Sequence, residues 1–311
     1  MRKITMLVHG GAGPDSEFIK RNIEGYKKGL QEAVNAGYRI LEEGGSALDA
    51  VEASVNYLED NELFNAGRGS ALNEKAEVEM DASIMDGKSV NCGAVAAVRN
   101  VKNPVTLARA IMDKTKHIYL CETGALEFAQ KIGLKLMPDA YFITNHAFEQ
   151  YTSAMEEEAN TLEHAGEYQV RKKEHGTVGA VAVDREGNVA AATSTGGLEN
   201  KVPGRIADSS MTGVGSYANN KTCAVSSTGD GEYMMRSVIS FHVSAVMQYK
   251  GLQLKEACDY LMNEELKDVE GDMGIIAVDP FGNFAFEFNS ERMHRAWRSS
   301  EGEQGVGIYK E

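Results

Sequence analysis

The segment from Thr177 to Asp184, TVGAVAVD, is apolar on both of its faces, with Val181 and Val183 on one and Val178, Ala180 and Ala182 on the other. Successive side chains of a strand point to opposite sides of a sheet, so this strand needs cover both above and below. It starts abruptly, at the joint between Gly176 and Thr177. The residues before it, about 145–176, are dense in charge and poor in branched aliphatics. That stretch allows a helical turn but buries too little to offset chain entropy, and it is expected to be a flexible surface segment.

The turn DREGN and the returning strand VAAATST follow. Simple hairpin pairing across 185–187 sets residue 195 or 196 opposite Thr177. Upstream, KITMLVHGGAG reads as a strand that stops at its glycines. Helical periodicity runs from about Ser16 to Glu43, and a second helix starts at Ser46, with Asp49 as its capping-box partner. The stretch EVEMDASIMDGKSVNCGAVAAV reads as two strands joined at Asp86-Gly87. Pro104 opens a helix, HIYLC is a short strand and TGALEFAQKIG a short helix. Downstream, KTCAVSST is a strand ending in TGDGE. One helix is expected from about Glu232 through Met247, another over LQLKEACDYLMNEEL, and MGIIAVDPFGNFAFEFN closes the chain as a hairpin. Strands with long helices outside them imply an α+β chain with two sheets face to face, covered by helices. No internal repeat and no linker before residue 140 divides it, so a single domain over 1–311 is expected.

Composition narrows the function. A net charge of −14 argues against nucleic acid and anionic membranes as partners. No apolar run reaches the roughly 18 residues of a membrane span. The segment MRKITMLVHGG is too short for a signal-peptide core. Cys92, Cys121, Cys223 and Cys258 are far apart and show no metal spacing, so a disulfide-free cytoplasmic protein is expected.

Hydroxyls at the ends of buried strands suit nucleophilic catalysis only if a base takes their proton. The seven histidines include no GxSxG elbow and no evident Ser-His-Asp order, and His175 and His242 read as structural. A cut before Thr177 supplies another base. The freed α-amine, with a pKa of about 7.7–8.0, would lie beside the hydroxyl of the same residue.

The ordered set HGGAG, FNAGRGSALN, EMDASIMDG, HGTVGAVAVD, TSTGG, GRIADS and STGDGE resembles the plant-type asparaginase or isoaspartyl peptidase family, whose members are N-terminal-nucleophile hydrolases. The likeness spans His9 to about Asn289. Taken singly, Thr177 and Thr195 are ordinary strand threonines and Arg205 with Asp208 an ordinary loop salt bridge. It is the motifs in order that distinguish the chain.

The resemblance implies a four-layer αββα sandwich and self-cleavage between Gly176 and Thr177, leaving 1–176 and 177–311 together. It implies that Thr177 attacks, that Thr195 orients it, and that Thr228 and the Gly229 N–H hold the oxyanion. Arg205 would grip the substrate α-carboxylate, Asp208 and the Gly231 carbonyl the α-amine, and Asn65 would support the nucleophile. A structural sodium ion would sit on the backbone carbonyls of Leu58, Glu59, Asn61, Phe64, Ala66 and Arg68. No catalytic cofactor is implied. The implied substrates are β-aspartyl dipeptides and L-asparagine, and the implied assembly is a homodimer of cut protomers. A glycosylasparaginase, or an uncut scaffold or amino-acid-binding protein of the same fold, stands as the alternative.

Overall fold

In the computed structural model, which describes residues 2–163 and 176–310, the strands gather into two sheets. The chain begins with β1 (Thr5–Gly13), α1 (Glu17–Arg21), α2 (Ile23–Glu42) and α3 (Ala47–Glu59). Then come β2 (Met80–Asp86), β3 (Cys92–Val98), α4 (Pro104–Lys114), β4 (Tyr119–Cys121), α5 (Glu122–Lys131), α6 (Asp139–Phe142) and α7 (Asn145–Glu163). After the Gly176–Thr177 joint lie β5 (Val178–Val183), β6 (Val189–Thr195), β7 (Ser216–Ala218) and β8 (Ala224–Gly229). The chain ends with α8 (Gly231–Ser237), α9 (Ile239–Lys250), α10 (Leu254–Tyr260), β9 (Met273–Val278), β10 (Phe284–Phe288), β11 (Arg292–Ser299) and β12 (Gln304–Tyr309).

The larger sheet has the order β12-β11-β1-β5-β6-β2-β3-β4, and the smaller β10-β9-β8-β7. β5 shows why they stack. Val178, Ala180 and Ala182 belong to a core shared with α2, α3 and α4, whereas Val181 and Val183 face Ala224, Ile276 and Val278 of the smaller sheet. A third core, built from Val225, Ile275, Val243 and Leu261, joins the other face of the smaller sheet to α9 and α10. The alternation apparent in TVGAVAVD thus divides its side chains between two cores. Fully burying one valine is worth about 1.5–3 kcal/mol.

Several elements depart from the sequence reading. The helix expected over 16–43 breaks at Asn22, which closes α1 and precedes α2. The helix expected over 232–247 breaks at Val238, a left-handed residue at φ 47° between α8 and α9. Strand β1 continues through its glycines to Gly13, accommodated by a bulge between His9 and Ala12. Residues 145–163 form a full helix where only a turn was allowed. Ala147 and Tyr151, at helical spacing, supply the packed side that low aliphatic content had concealed. The remainder of the expected flexible segment, with His175, lies outside the described residues.

The chain does not close at the β9–β10 hairpin. β11 and β12 follow, and β11 pairs with β1 from Thr5 opposite Ser299 to Gly13 opposite Arg292. Arginines at 292, 295 and 298 disguise β11 as a surface segment. Arg298 lies over the Tyr38 ring at 4.1 Å and Arg295 over Phe286 at 4.7 Å, so long apolar stems and ring contacts stand in for aliphatic side chains.

Candidate active site

The β5–β6 hairpin pairs Val178 with Ser194 and Gly179 with Thr193, a register that continues to Thr177 and Thr195. Thr177 is buried at the head of β5. Its carbonyl lies 3.0 Å from His9 Nδ1. A carbonyl only accepts, so Nδ1 carries the proton and Nε2 accepts from Ser226 Oγ at 2.9 Å. Burial pushes the His9 imidazole down to about 3, which keeps it neutral, and the Thr177 carbonyl at Nδ1 sets this tautomer.

The Gly176 carbonyl is gripped from two sides. Thr195 Oγ1 donates to it at 2.9 Å and Asn65 Nδ2 at 2.9 Å. Both donors are oriented by their own neighbours. Thr195 Oγ1 accepts from the Gly197 N–H at 3.0 Å, leaving its proton for Gly176. Asn65 Oδ1 accepts from the Ala71 N–H at 2.7 Å, which fixes the amide with Nδ2 toward the Gly176 and Gly197 carbonyls.

On the other side of Thr177 is a small cavity bordered by Gly176, Thr177, Thr195, Arg205, Asp208 and Gly229. Gly229 ends β8 at φ 137°, where a Cβ would stand 2.1 Å from the Asp272 carbonyl oxygen, so only glycine fits. Beside it, Thr228 Oγ1 accepts from the Ala12 N–H at 3.2 Å, within the β1 bulge, and keeps its own proton to donate. Arg205 donates through Nε and Nη2 to Glu232 Oε1 at 3.0 and 2.8 Å. Asp208 is buried and its Oδ2 has no hydrogen-bond partner. Burial raises its carboxyl to about 7, against the pull of the Arg205 charge. Gly231 opens α8 so close that a side chain there would begin 2.8 Å from Asp208 Oδ1 and 3.1 Å from Arg205 Nη2.

An unpaired buried carboxylate oxygen beside an arginine invites a ligand carrying both charges. An ammonium would satisfy Asp208, and a carboxylate would take the guanidinium.

The turn between α3 and β2 carries the residues expected to hold a sodium ion. A Cβ on Gly67 would stand 2.3 Å from the Glu59 carbonyl oxygen, and one on Gly69 would stand 2.1 Å from that of Phe64. The two glycines thus let the backbone of this turn pack closely against its own carbonyls. Those of Leu58, Asn61, Phe64 and Ala66 each accept one backbone N–H, which leaves a second lone pair on each oxygen. Such a neutral oxygen set fits a hard monovalent cation. His242 is on α9, outside this group.

Sequence reading missed several residues that build the site. His9 was lost among the glycines of HGGAG, although a histidine ending a buried strand was a signal. Asp81, opposite Thr195 in the β2–β6 pairing, accepts from the Ala97 N–H at 2.9 Å and the Ala207 N–H at 3.0 Å, pinning the Arg205–Asp208 loop to the sheet. The acidic residue in the apolar MDASIM run was its trace. Glu232, the partner of Arg205, left none.

A family model described as asparaginase matches residues 2–308. The isoaspartyl peptidase of Escherichia coli strain K12 is 42% identical, over 100% of this chain and 98% of its own. The isoaspartyl peptidase/L-asparaginase of Danio rerio is 43% identical over 98% and 94%, and that of Homo sapiens 41% over 99% and 96%. The chain belongs to this asparaginase family. No described helix is long and apolar enough to cross a membrane.

Proposed function

We propose that this protein is a self-processed threonine hydrolase that releases L-aspartate from β-aspartyl dipeptides and from L-asparagine. The curated relatives of similar length bear the names of those two activities, and the cavity beside Thr177 presents groups for both charges of an α-amino acid. The glycosylasparaginase alternative gains no support from those names. The three cores and their outer helices support the four-layer αββα arrangement of N-terminal-nucleophile hydrolases within a single domain over 1–311.

The Gly176 carbonyl, held at 2.9 Å by both Thr195 Oγ1 and Asn65 Nδ2, carries the reading. It is the bond an N-terminal-nucleophile precursor would break. Attack by Thr177 Oγ1 places negative charge on that oxygen, where the two donors already point. The intermediate collapses by releasing the Thr177 nitrogen, which leaves an ester between Gly176 and the threonine oxygen. Water then hydrolyses the ester to a Gly176 carboxylate and a free Thr177 α-amine.

In the cut protein the α-amine takes the hydroxyl proton as Thr177 Oγ1 attacks the side-chain carbonyl of the substrate. Arg205 binds the substrate α-carboxylate, while Asp208, with the Gly231 carbonyl, binds its α-ammonium. Thr228 Oγ1 and the Gly229 N–H receive the oxyanion. The amine leaves with the proton and water releases aspartate from the acyl-threonine. A sodium ion on the carbonyls of Leu58, Glu59, Asn61, Phe64, Ala66 and Arg68 would brace the loop that carries Asn65, a purely structural part. Homodimeric assembly in the cytoplasm belongs to the same reading.

Denaturing electrophoresis with N-terminal sequencing tests the cut. The expected result is two fragments, the second starting TVGAV. An active preparation that remains one intact chain would overturn the mechanism.

A further inference from the structure

A second cavity lies beyond the substrate clamp, and Gly176 borders both. Its apolar wall includes Ile19 and Leu63, and its polar side Arg292 and His294 of β11. Both of these side chains are buried, Arg292 at 3% and His294 at 2% exposure. His294 Nδ1 lies 3.3 Å from the Gly10 carbonyl and therefore carries the proton. Its Nε2 is a buried acceptor with no hydrogen-bond partner. Burial and the nearby Arg292 charge hold this imidazole well below the usual range, so it stays neutral and accepting.

Nothing in the hydrolysis of L-asparagine needs this space, because ammonia is the leaving group. A β-aspartyl dipeptide is different. Once its aspartyl half sits between Arg205 and Asp208, its other amino acid must extend past Thr177 and carries an α-carboxylate of its own. Gly176 stands between the two cavities and becomes a chain end when the joint is cut. We propose that the second cavity is the subsite for the amino acid released from a β-aspartyl dipeptide, with its α-carboxylate on Arg292 and an N–H donor on His294 Nε2. The inference rests on the β-aspartyl hydrolase reading and adds to it the contact that separates dipeptides from free asparagine.

The test uses the cut enzyme with β-aspartyl-leucine, β-aspartyl-leucinamide and L-asparagine. Leucinamide keeps the size of the leaving group and removes its charge. One charge-assisted bond is worth a factor of about ten or more, so kcat/KM for β-aspartyl-leucine should exceed that for the leucinamide by at least that factor. Arg292→Gln should bring the ratio near one, and Arg292→Lys should restore part of it. A wild-type ratio near one overturns the subsite whether or not any variant folds, and so does a ratio that survives Arg292→Gln. If the wild-type enzyme hydrolyses L-asparagine and both dipeptides without distinction, only this inference falls. If it hydrolyses none of the three, the hydrolase reading falls and takes the inference with it.

Discussion

The two pairs of donors proposed to act on Thr177 differ in what they already hold. Thr195 and Asn65 are engaged with a carbonyl of the protein's own chain, both at 2.9 Å. Gly229 borders space beside a buried carboxylate that lacks a partner, and Thr228 precedes it with a hydroxyl proton still to donate. On the function proposed above, one hydroxyl serves two acyl groups in turn, first the joint and then the substrate. This division between the pairs is open to experiment. Its strongest test removes what both pairs share. Thr177→Ala should leave a single chain of residues 1–311, with hydrolysis reduced by at least about 10⁴-fold. Electrophoresis and a β-aspartyl dipeptide assay read both outcomes, and fragments of normal size would detach Thr177 from the cut.

The next tests break the comparison one side at a time. Thr228→Val removes a donor only from the substrate side. The Gly176–Thr177 joint should still be cut at the wild-type rate, while kcat falls by about 10²–10³-fold, the usual loss for one oxyanion donor. Asn65→Ala removes a donor from the joint and should slow the appearance of fragments by a similar factor. Time-resolved electrophoresis during refolding, followed by turnover measured per cut molecule, separates the two. If both variants slow both reactions equally, a single oxyanion site serves cutting and turnover, and the division proposed between the pairs is wrong.

This division was only partly legible in the sequence. The alternation of TVGAVAVD placed β5 between two cores, because a side-chain period of two leaves no freedom once both faces are apolar. Hairpin arithmetic then brought Thr195 opposite Thr177, since both flank a short turn. The parts that remained hidden depend on contacts between segments far apart in the chain. β11 packs its arginine stems on rings of α2 and β10, which no local pattern reveals. Asp81 fixes Ala207 from a strand more than a hundred residues earlier. His9 meets the Thr177 carbonyl only because β1 lies beside β5 in the sheet. Short-range periodicity defined the frame, and the tertiary arrangement chose which polar groups met at its end.

The smallest expected effect bears on the empty side of the comparison, through Glu232. Asp208 titrates near 7 because it is buried, and it must be ionised to hold an ammonium. Its charge is present above that pH and lost below it, and the Thr177 α-amine, with a pKa of about 7.7–8.0, must also be deprotonated, so kcat/KM should fall as pH drops through about 8 and then 7, approaching a hundredfold per unit once well below both. The Glu232 charge is one of the influences that raise the Asp208 pKa, whereas its contact with Arg205 holds the guanidinium in place. Glu232→Gln should therefore act in two directions. At pH 8, where Asp208 is ionised in either protein, weaker positioning of Arg205 should raise KM by about two- to fivefold, the range of a partly exposed ion pair. On the acidic side, removal of a neighbouring negative charge should move the steeper, Asp208 part of the fall in kcat/KM to lower pH. A pH series on both proteins reads the two changes together. If the acidic limb moved upward instead, the group that titrates would not be a carboxylate repelled by Glu232, and the assignment of the ammonium to Asp208 would fail.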